Sequence, residues 1–189
     1  WDTSNVTDMK GIFKNCLGIT SIDLSNWDTS KATTMHDLFV GCKNLVEVKG
    51  MENWDVSKVT LMISMFYDCS SLKSVGDLSN WDTSSLTDNG YMFINCSALQ
   101  SVDVSNWDTS KITSMMYLFY NCTSLTELDV SGWDVGNVQS LKYLFNGCSG
   151  LTSLDVSNWD THSATEMQGM FCGCTGLKTL DVSGRGTAN

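Results

Sequence analysis

Tryptophan recurs at positions 1, 27, 54, 81, 107, 133 and 159, at intervals of 26 or 27 residues, and each is followed by aspartate. All seven phenylalanines lie twelve residues after a tryptophan, and seven of the eight cysteines (Cys16, Cys42, Cys69, Cys96, Cys122, Cys148 and Cys174) lie fifteen after one. A period of this length marks a stacked repeat architecture, in which no unit buries its apolar side alone and neighbours in register build one continuous core. The unit is close to W-D-T-S-x-V-T-x-M-x-x-L-F-x-N-C-x-x-L-x-x-L-D-V-S-N. The copies are numbered coils 1–7 from their tryptophans, and a position is written +n by its distance from that Trp. Coils 2 and 3 carry an extra residue near Gly50 and Gly76, where glycine suits a bulge at a strand.

Each copy reads as two elements. The first is L-x-x-L-x-V, as in Leu125, Leu128 and Val130, where the last two alternate like a half-buried strand. In coil 5 the second carries Ile112, Met115, Leu118, Phe119 and Cys122, a spacing that predicts a short helix. Thr113 is placed to cap its start, and Asn121 to end it in the left-handed conformation. The expected fold is a right-handed α/β solenoid, with a parallel β-sheet on one face and short helices on the other. It forms a single domain over 1–184, followed by a tail at 185–189.

Composition narrows the function. The chain has 189 residues and 21 acidic against 11 basic side chains, a net charge of −10, which argues against nucleic acid as partner. No apolar run approaches the roughly 18–20 residues that span a bilayer, so no membrane insertion of this segment is expected. A start at Trp1, without methionine and with no signal-peptide pattern, suggests a processed product or an excised fragment.

The strand portion matches the leucine-rich repeat pattern, with Trp standing where Asn or Cys is usual. With W-D-T-S-x-V-T-x-M and M-F-x-x-C, the whole unit strongly resembles the BspA-like leucine-rich repeats, also called the DUF285 repeat, from Trp1 to Ser183. Asn89, Gln139 and His162 depart from the usual Met, Thr and Ser, and Arg185 stands where an eighth Trp is due. The resemblance implies a surface-exposed solenoid, often used for adhesion, at an extracellular or cell-surface location.

The recurring residues read first as structural. The tryptophans are expected to stack as a buried spine, each indole N–H finding a carbonyl; a row of sugar-binding platforms is the alternative. The Asp after each Trp suits a turn that accepts an N–H two residues on. The in-phase cysteines are expected to be buried free thiols, because neighbouring helices lie too far apart for disulfides. The exposed Cys172 is a candidate for an intermolecular bridge, and zinc is not expected, the two histidines being 126 positions apart.

Two sets of residues are candidate binding elements. Asp23, Asp77, Asp103, Asp129, Asp155 and Asp181, with Gly50 in the odd copy, form an acidic column on the strand face. Neighbouring carboxylates there stand about 4.8 Å apart and repel by roughly 1 kcal/mol in water. The serine two residues on, a basic partner, or a calcium ion among Asp77, Asp103, Asp129 and Asp155 would offset this. On the outer face Tyr91, Tyr117 and Tyr143 share a phase, with Tyr67 and Tyr120 one turn on. They read equally as an aromatic binding stripe or as packing between coils. No off-pattern cluster of nucleophile, base or metal ligands exists, so no cofactor is expected and catalysis is not. The expected role is recognition or adhesion, with a protein or glycan ligand. The alternative is a structural stalk or a scaffold subunit that self-associates end to end.

Overall fold

The computed structural model describes residues 1–183, so the tail expected at 185–189 lies outside the described residues. Each coil is tied to the next by parallel backbone hydrogen bonds, and the most continuous ladder runs through position +7. It links Asp8, Thr34, Leu61, Asp88, Ser114, Ser140 and Glu166 in order. The expected sheet on the strand face is realised only at the start of the stack. There β1 (Ser21–Asp23) pairs in parallel with β2 (Glu47–Lys49). Single bridges follow at Glu47–Ser74 and Asp155–Asp181. In between, the bonds Gln100 N–H to Lys73 O and Thr126 N–H to Gln100 O stretch to 3.4 and 3.3 Å.

The helices predicted after each Thr are absent among the described residues, and the class is therefore not α/β; the one helical turn is a 3₁₀ segment at Met51–Asn53. Runs of tight turns replace them. In coil 2, Leu38, Val40 and Cys42 donate three residues back, to Met35, Asp37 and Phe39. The amides between them cross to coil 3: Met35 to Leu61, Asp37 to Ile63, Phe39 to Met65 and Gly41 to Tyr67. Positions +10 and +14 shape the first and last of these turns, whose third residues sit in the left-handed region as a type II turn requires. They are Gly11, Asp37, Ser64, Tyr91, Tyr117, Tyr143 and Gly169, then Asn15, Gly41, Asp68, Asn95, Asn121, Gly147 and Gly173, with φ between 53° and 78°. Asn121 is left-handed as expected, but Tyr117 four residues earlier is too, and two such residues in one turn exclude an α-helix. Thr113 does not cap a helix: its N–H and Oγ1–H both donate to Thr87 O, and Thr33, Thr60 and Thr165 repeat this on their own neighbours.

Inside the coils the repeated side chains form ladders. The phenylalanine rings stack without a break from Phe13 to Phe171, with centroids 5.1–6.0 Å apart. Tryptophans stack beside them at 6.1–6.3 Å, Trp1 to Trp107 and Trp133 to Trp159. The indole N–H groups of Trp81, Trp107, Trp133 and Trp159 donate to Met51, Leu78, Val104 and Val130, each the carbonyl three residues before the preceding Trp. Trp54 is buried without such a partner. The spine reading of tryptophan therefore holds from Trp54 to Trp159, whose buried rings leave no platform for sugars, whereas Trp27 is partly buried and Trp1 exposed.

Cysteine uses the same construction. Cys42, Cys69, Cys96, Cys122, Cys148 and Cys174 each donate Sγ–H to the phenylalanine carbonyl of the preceding coil at 2.9–3.1 Å. All eight thiols are free. The reason differs from the expected one. Coils bonded at sheet spacing put in-register Cβ atoms about 4.8 Å apart, just beyond the roughly 3.5–4.5 Å a disulfide spans. Burial raises these thiols' pKa values, to about 12 at Cys148 and well above the ordinary thiol value at Cys96 and Cys122.

One core position breaks the pattern. Asn89 stands where Met9, Met35, Met62 and Met115 stand in other coils, fully buried, with neither amide atom hydrogen-bonded. Two predictions follow from the core. Titration of the denatured, unreduced chain should count eight thiols, with Cys172 alone reacting fast when folded; paired cysteines would contradict the ladder. Replacing the unpartnered amide by Asn89→Met should raise unfolding free energy by about 1–3 kcal/mol, read by denaturant titration. A less stable variant would show that the amide is satisfied.

Candidate functional site

Strand residues alternate between faces, so in coils without the extra residue +20 and +22 point outward while +21 and +23 enter the core, as Val102 and Val104 do at 6% and 1% exposure; the extra residue shifts Asp77 in coil 3 to +23 on the outward face. The outward pair builds a groove along the acidic column. One hollow in it, ≈ 530 Å³, is lined by Ser74, Asp77, Ser101, Asp103, Glu127 and Asp129 among others. A second, ≈ 340 Å³, shares Glu127 and Asp129 and adds Ser153 and Asp155; a third, ≈ 330 Å³, reaches from Asp155 to Asp181. The structure thus brings Asp77, Asp103, Asp129 and Asp155 to one continuous groove. Glu127 is a further charge there that attention to the +22 column alone missed, although period-two alternation gives +20 the same face.

The column is interrupted at coil 2. Lys49, not Gly50, pairs with Asp23. Its Nζ lies 3.2 Å from Glu47 Oε1. Gly50 comes one residue later, left-handed at φ 90° and packed so closely on Ser25 that no Cβ fits; it opens the 3₁₀ turn that absorbs the extra residue. The acidic run is therefore unbroken only from Asp77 onward.

Each aspartate of the column directs Oδ1 into its own turn. Asp23, Asp103, Asp129 and Asp155 accept both the N–H and the hydroxyl of the serine two residues on, at 2.6–3.1 Å. The N–H groups of Ser79 and Ser183 serve Asp77 and Asp181 in the same way. Serine hydroxyl and amide donors hold Asp23, Asp77, Asp129, Asp155 and Asp181 below the usual carboxylate range. The Asp after Trp makes the same turn: Asp2, Asp28, Asp55, Asp82 and Asp108 accept the N–H of a serine, Asp134 that of Gly136, and Asp160 that of His162. Serine thus offsets the repulsion along the column, and no group of three or more metal-ligating side chains converges among the described residues.

The tyrosines lie at other phases of the coil and line none of these hollows. Tyr91, Tyr117 and Tyr143 are half-buried; Tyr91 stacks on Tyr117 at 5.2 Å between centroids, Tyr117 and Tyr143 lie tilted at 5.0 Å, and Tyr120 packs on both Tyr117 and Tyr143. The row ends on Gly169, where any Cβ would collide with the Tyr143 ring, and Lys142 Nζ lies 5.7 Å from that ring's centroid. These rings pack on one another, one pair face to face and the others tilted or edge-on, which is the packing between coils that the sequence also allowed. His36 and His162 stay apart: His36 Nδ1 lies 3.1 Å from Ile63 O, and His162 Nδ1 lies 3.0 Å from Asp160.

No helix of the described chain is long and apolar enough to cross a membrane. A search of curated proteins finds no match. Among solved structures, a leucine-rich repeat protein from Eubacterium ventriosum is similar at 22% identity and TM-score 0.53, over 86% of this chain and 39% of that one. The T. pallidum leucine-rich repeat protein is similar at 18% identity and TM-score 0.55, over 91% of this chain and 72% of that one. This chain thus spans well under half the Eubacterium protein, and both likenesses show a repeat-solenoid fold. The family described as "Mycoplasma protein of unknown function, DUF285" matches residues 1–48, 18–102 and 91–184. Nearly the whole sequence is covered, and the chain belongs to this family of BspA-like leucine-rich repeat proteins.

Proposed function

We propose that this chain is a non-catalytic recognition segment of a cell-surface repeat protein, a single solenoid over 1–184, and that it binds a protein partner along the acidic groove of coils 3–7. The observation that carries this is the unbroken groove from Asp77 to Asp181, with Glu127 beside Asp129. Each aspartate in it is held by its own turn, while no bond among the described residues engages the Oδ2 atoms of Asp103, Asp129 and Asp155. A row of fixed acceptors at regular spacing suits an extended segment carrying lysine or arginine. A glycan is favoured less, because Tyr91, Tyr117, Tyr120 and Tyr143 pack on one another and line none of the groove's hollows. Calcium is favoured less as well, since serine already supplies the compensation that an ion would.

The test is an array of purified extracellular proteins and glycans, probed with the intact chain and with two variants. Asp103→Asn/Glu127→Gln/Asp129→Asn removes groove charge while the asparagines keep the turn-forming acceptor. It should weaken capture at least about tenfold, equivalent to about 1.4 kcal/mol, and added salt should do the same to the parent chain. Tyr117→Ala, on the other surface, should bind as the parent does. Loss with Tyr117→Ala and retention with the groove variant would overturn the assignment.

A further inference from the structure

The strand face is paired in one place and open in another. Between coils 1 and 2 it is a sheet, Ser21–Asp23 in register with Glu47–Lys49. Val46 N–H to Thr20 O at 2.7 Å and Leu24 N–H to Lys49 O at 2.9 Å extend that ladder on either side. In coils 4–6 the same phases put Thr152 N–H opposite Thr126 O, Val104 N–H opposite Asp129 O, and Val130 N–H opposite Asp155 O. None of these bonds forms among the described residues. The opposite side of the same coils is tied at full strength, with Phe93 N–H to Leu118 O and Phe119 N–H to Leu144 O both at 2.9 Å. The core shows through the gap: Val102, Leu128 and Leu154 line the hollows at 6–8% exposure, whereas Val75 is at 0%. Donors and acceptors that a parallel sheet would pair are thus left facing one another unpaired.

The charges divide in the same way. Where the sheet forms, Asp23 stands opposite Lys49. The Asp23 carboxyl, lowered chiefly by the Ser25 hydroxyl, is lowered further by that ammonium. Where the face is open, Asp103, Asp129 and Asp155 occupy the column in successive coils. Asp129 and Asp155, lowered chiefly by the hydroxyls of Ser131 and Ser157, are pushed back upward by Asp155 and Asp181 respectively. The serine donors engage Oδ1 and remove no charge. Full sheet pairing sets neighbouring carboxylates about 4.8 Å apart, and their repulsion rises as they approach.

We propose that the strand face of coils 4–6 is a latent parallel sheet, held open by the like charges of Asp103, Asp129 and Asp155 and closing when they are neutralised. On closure Val104, Val130 and Thr152 gain the acceptors named above, and Val102, Leu128 and Leu154 are covered. A basic segment lying along the groove supplies the neutralising charge, so that its binding and sheet formation are coupled. That coupling rests on the function proposed above; the open seam does not.

Amide hydrogen exchange of the intact chain, followed by nuclear magnetic resonance, tests this. In the parent the Val104, Val130 and Thr152 amides should exchange fast beside the protected Phe93 and Phe119. Asp103→Asn/Asp129→Asn/Asp155→Asn removes the charges and keeps the acceptor of each turn, and it should slow those amides at least about tenfold. Asp82→Asn/Asp108→Asn/Asp134→Asn, the same change in the column beside tryptophan, should leave them fast. Decalysine added to the parent to saturation should slow them as the groove variant does. A parent in which they are already protected overturns the proposal, as does a groove variant in which they stay fast or a tryptophan-column variant that slows them equally. Protection in the groove variant but not in the decalysine-saturated parent overturns the coupling. A parent that takes up no decalysine counts against the function proposed above, while the variants still decide the seam.

Discussion

The structure depends on the alternation of backbone hydrogen bonds between +8 and +14. One amide turns back three residues within its coil, and the next crosses to the neighbouring coil. This satisfies the backbone without helix or long strand, and it holds successive coils at sheet spacing. Everything that stacks follows from that spacing: phenylalanine rings at 5.1–6.0 Å, indoles near 6.2 Å, and each thiol one coil from its carbonyl. The alternation requires left-handed residues at +10 and +14. Glycine, asparagine and aspartate accept this at little cost, whereas Tyr91, Tyr117 and Tyr143 do not. Their mutual stacking opposes that strain.

Much of this was legible in the period. Seven tryptophans, phenylalanines and cysteines in phase can only form ladders, and the Asp-x-Ser turns followed from the chemistry of a short carboxylate beside its own backbone. The helix was misread because apolar residues three and four apart also suit a coil that turns on itself every few residues, and periodicity does not distinguish the two. The signal that separates them is the variable polar column at +10 and +14. Gly11, Asp37 and Ser64 share one column and Asn15, Gly41 and Asp68 the other, residue types with little in common except tolerance of positive φ. The tyrosines later in the first column hid it. Gly50 falls in the acidic column only when the coils are aligned from the following tryptophan, whereas the strand pairs from its own start and sets Lys49 opposite Asp23.

The groove is charged and lateral: it runs along the stack, across the outward-facing strand residues, and leaves the core ladders behind it covered. The proposed partner would therefore lie along several coils at once, each contributing one or two fixed carboxylates.

The crossing amide bonds are the claim on which the account stands, and scalar couplings transmitted through hydrogen bonds, measured by nuclear magnetic resonance, identify each acceptor directly. The account predicts a correlation from the Phe39 amide to the Met65 carbonyl, repeated from Phe66 to Met92 and from Phe119 to Leu144. A correlation from Phe39 to the Met35 carbonyl of its own coil, the bond of an α-helix, would contradict it.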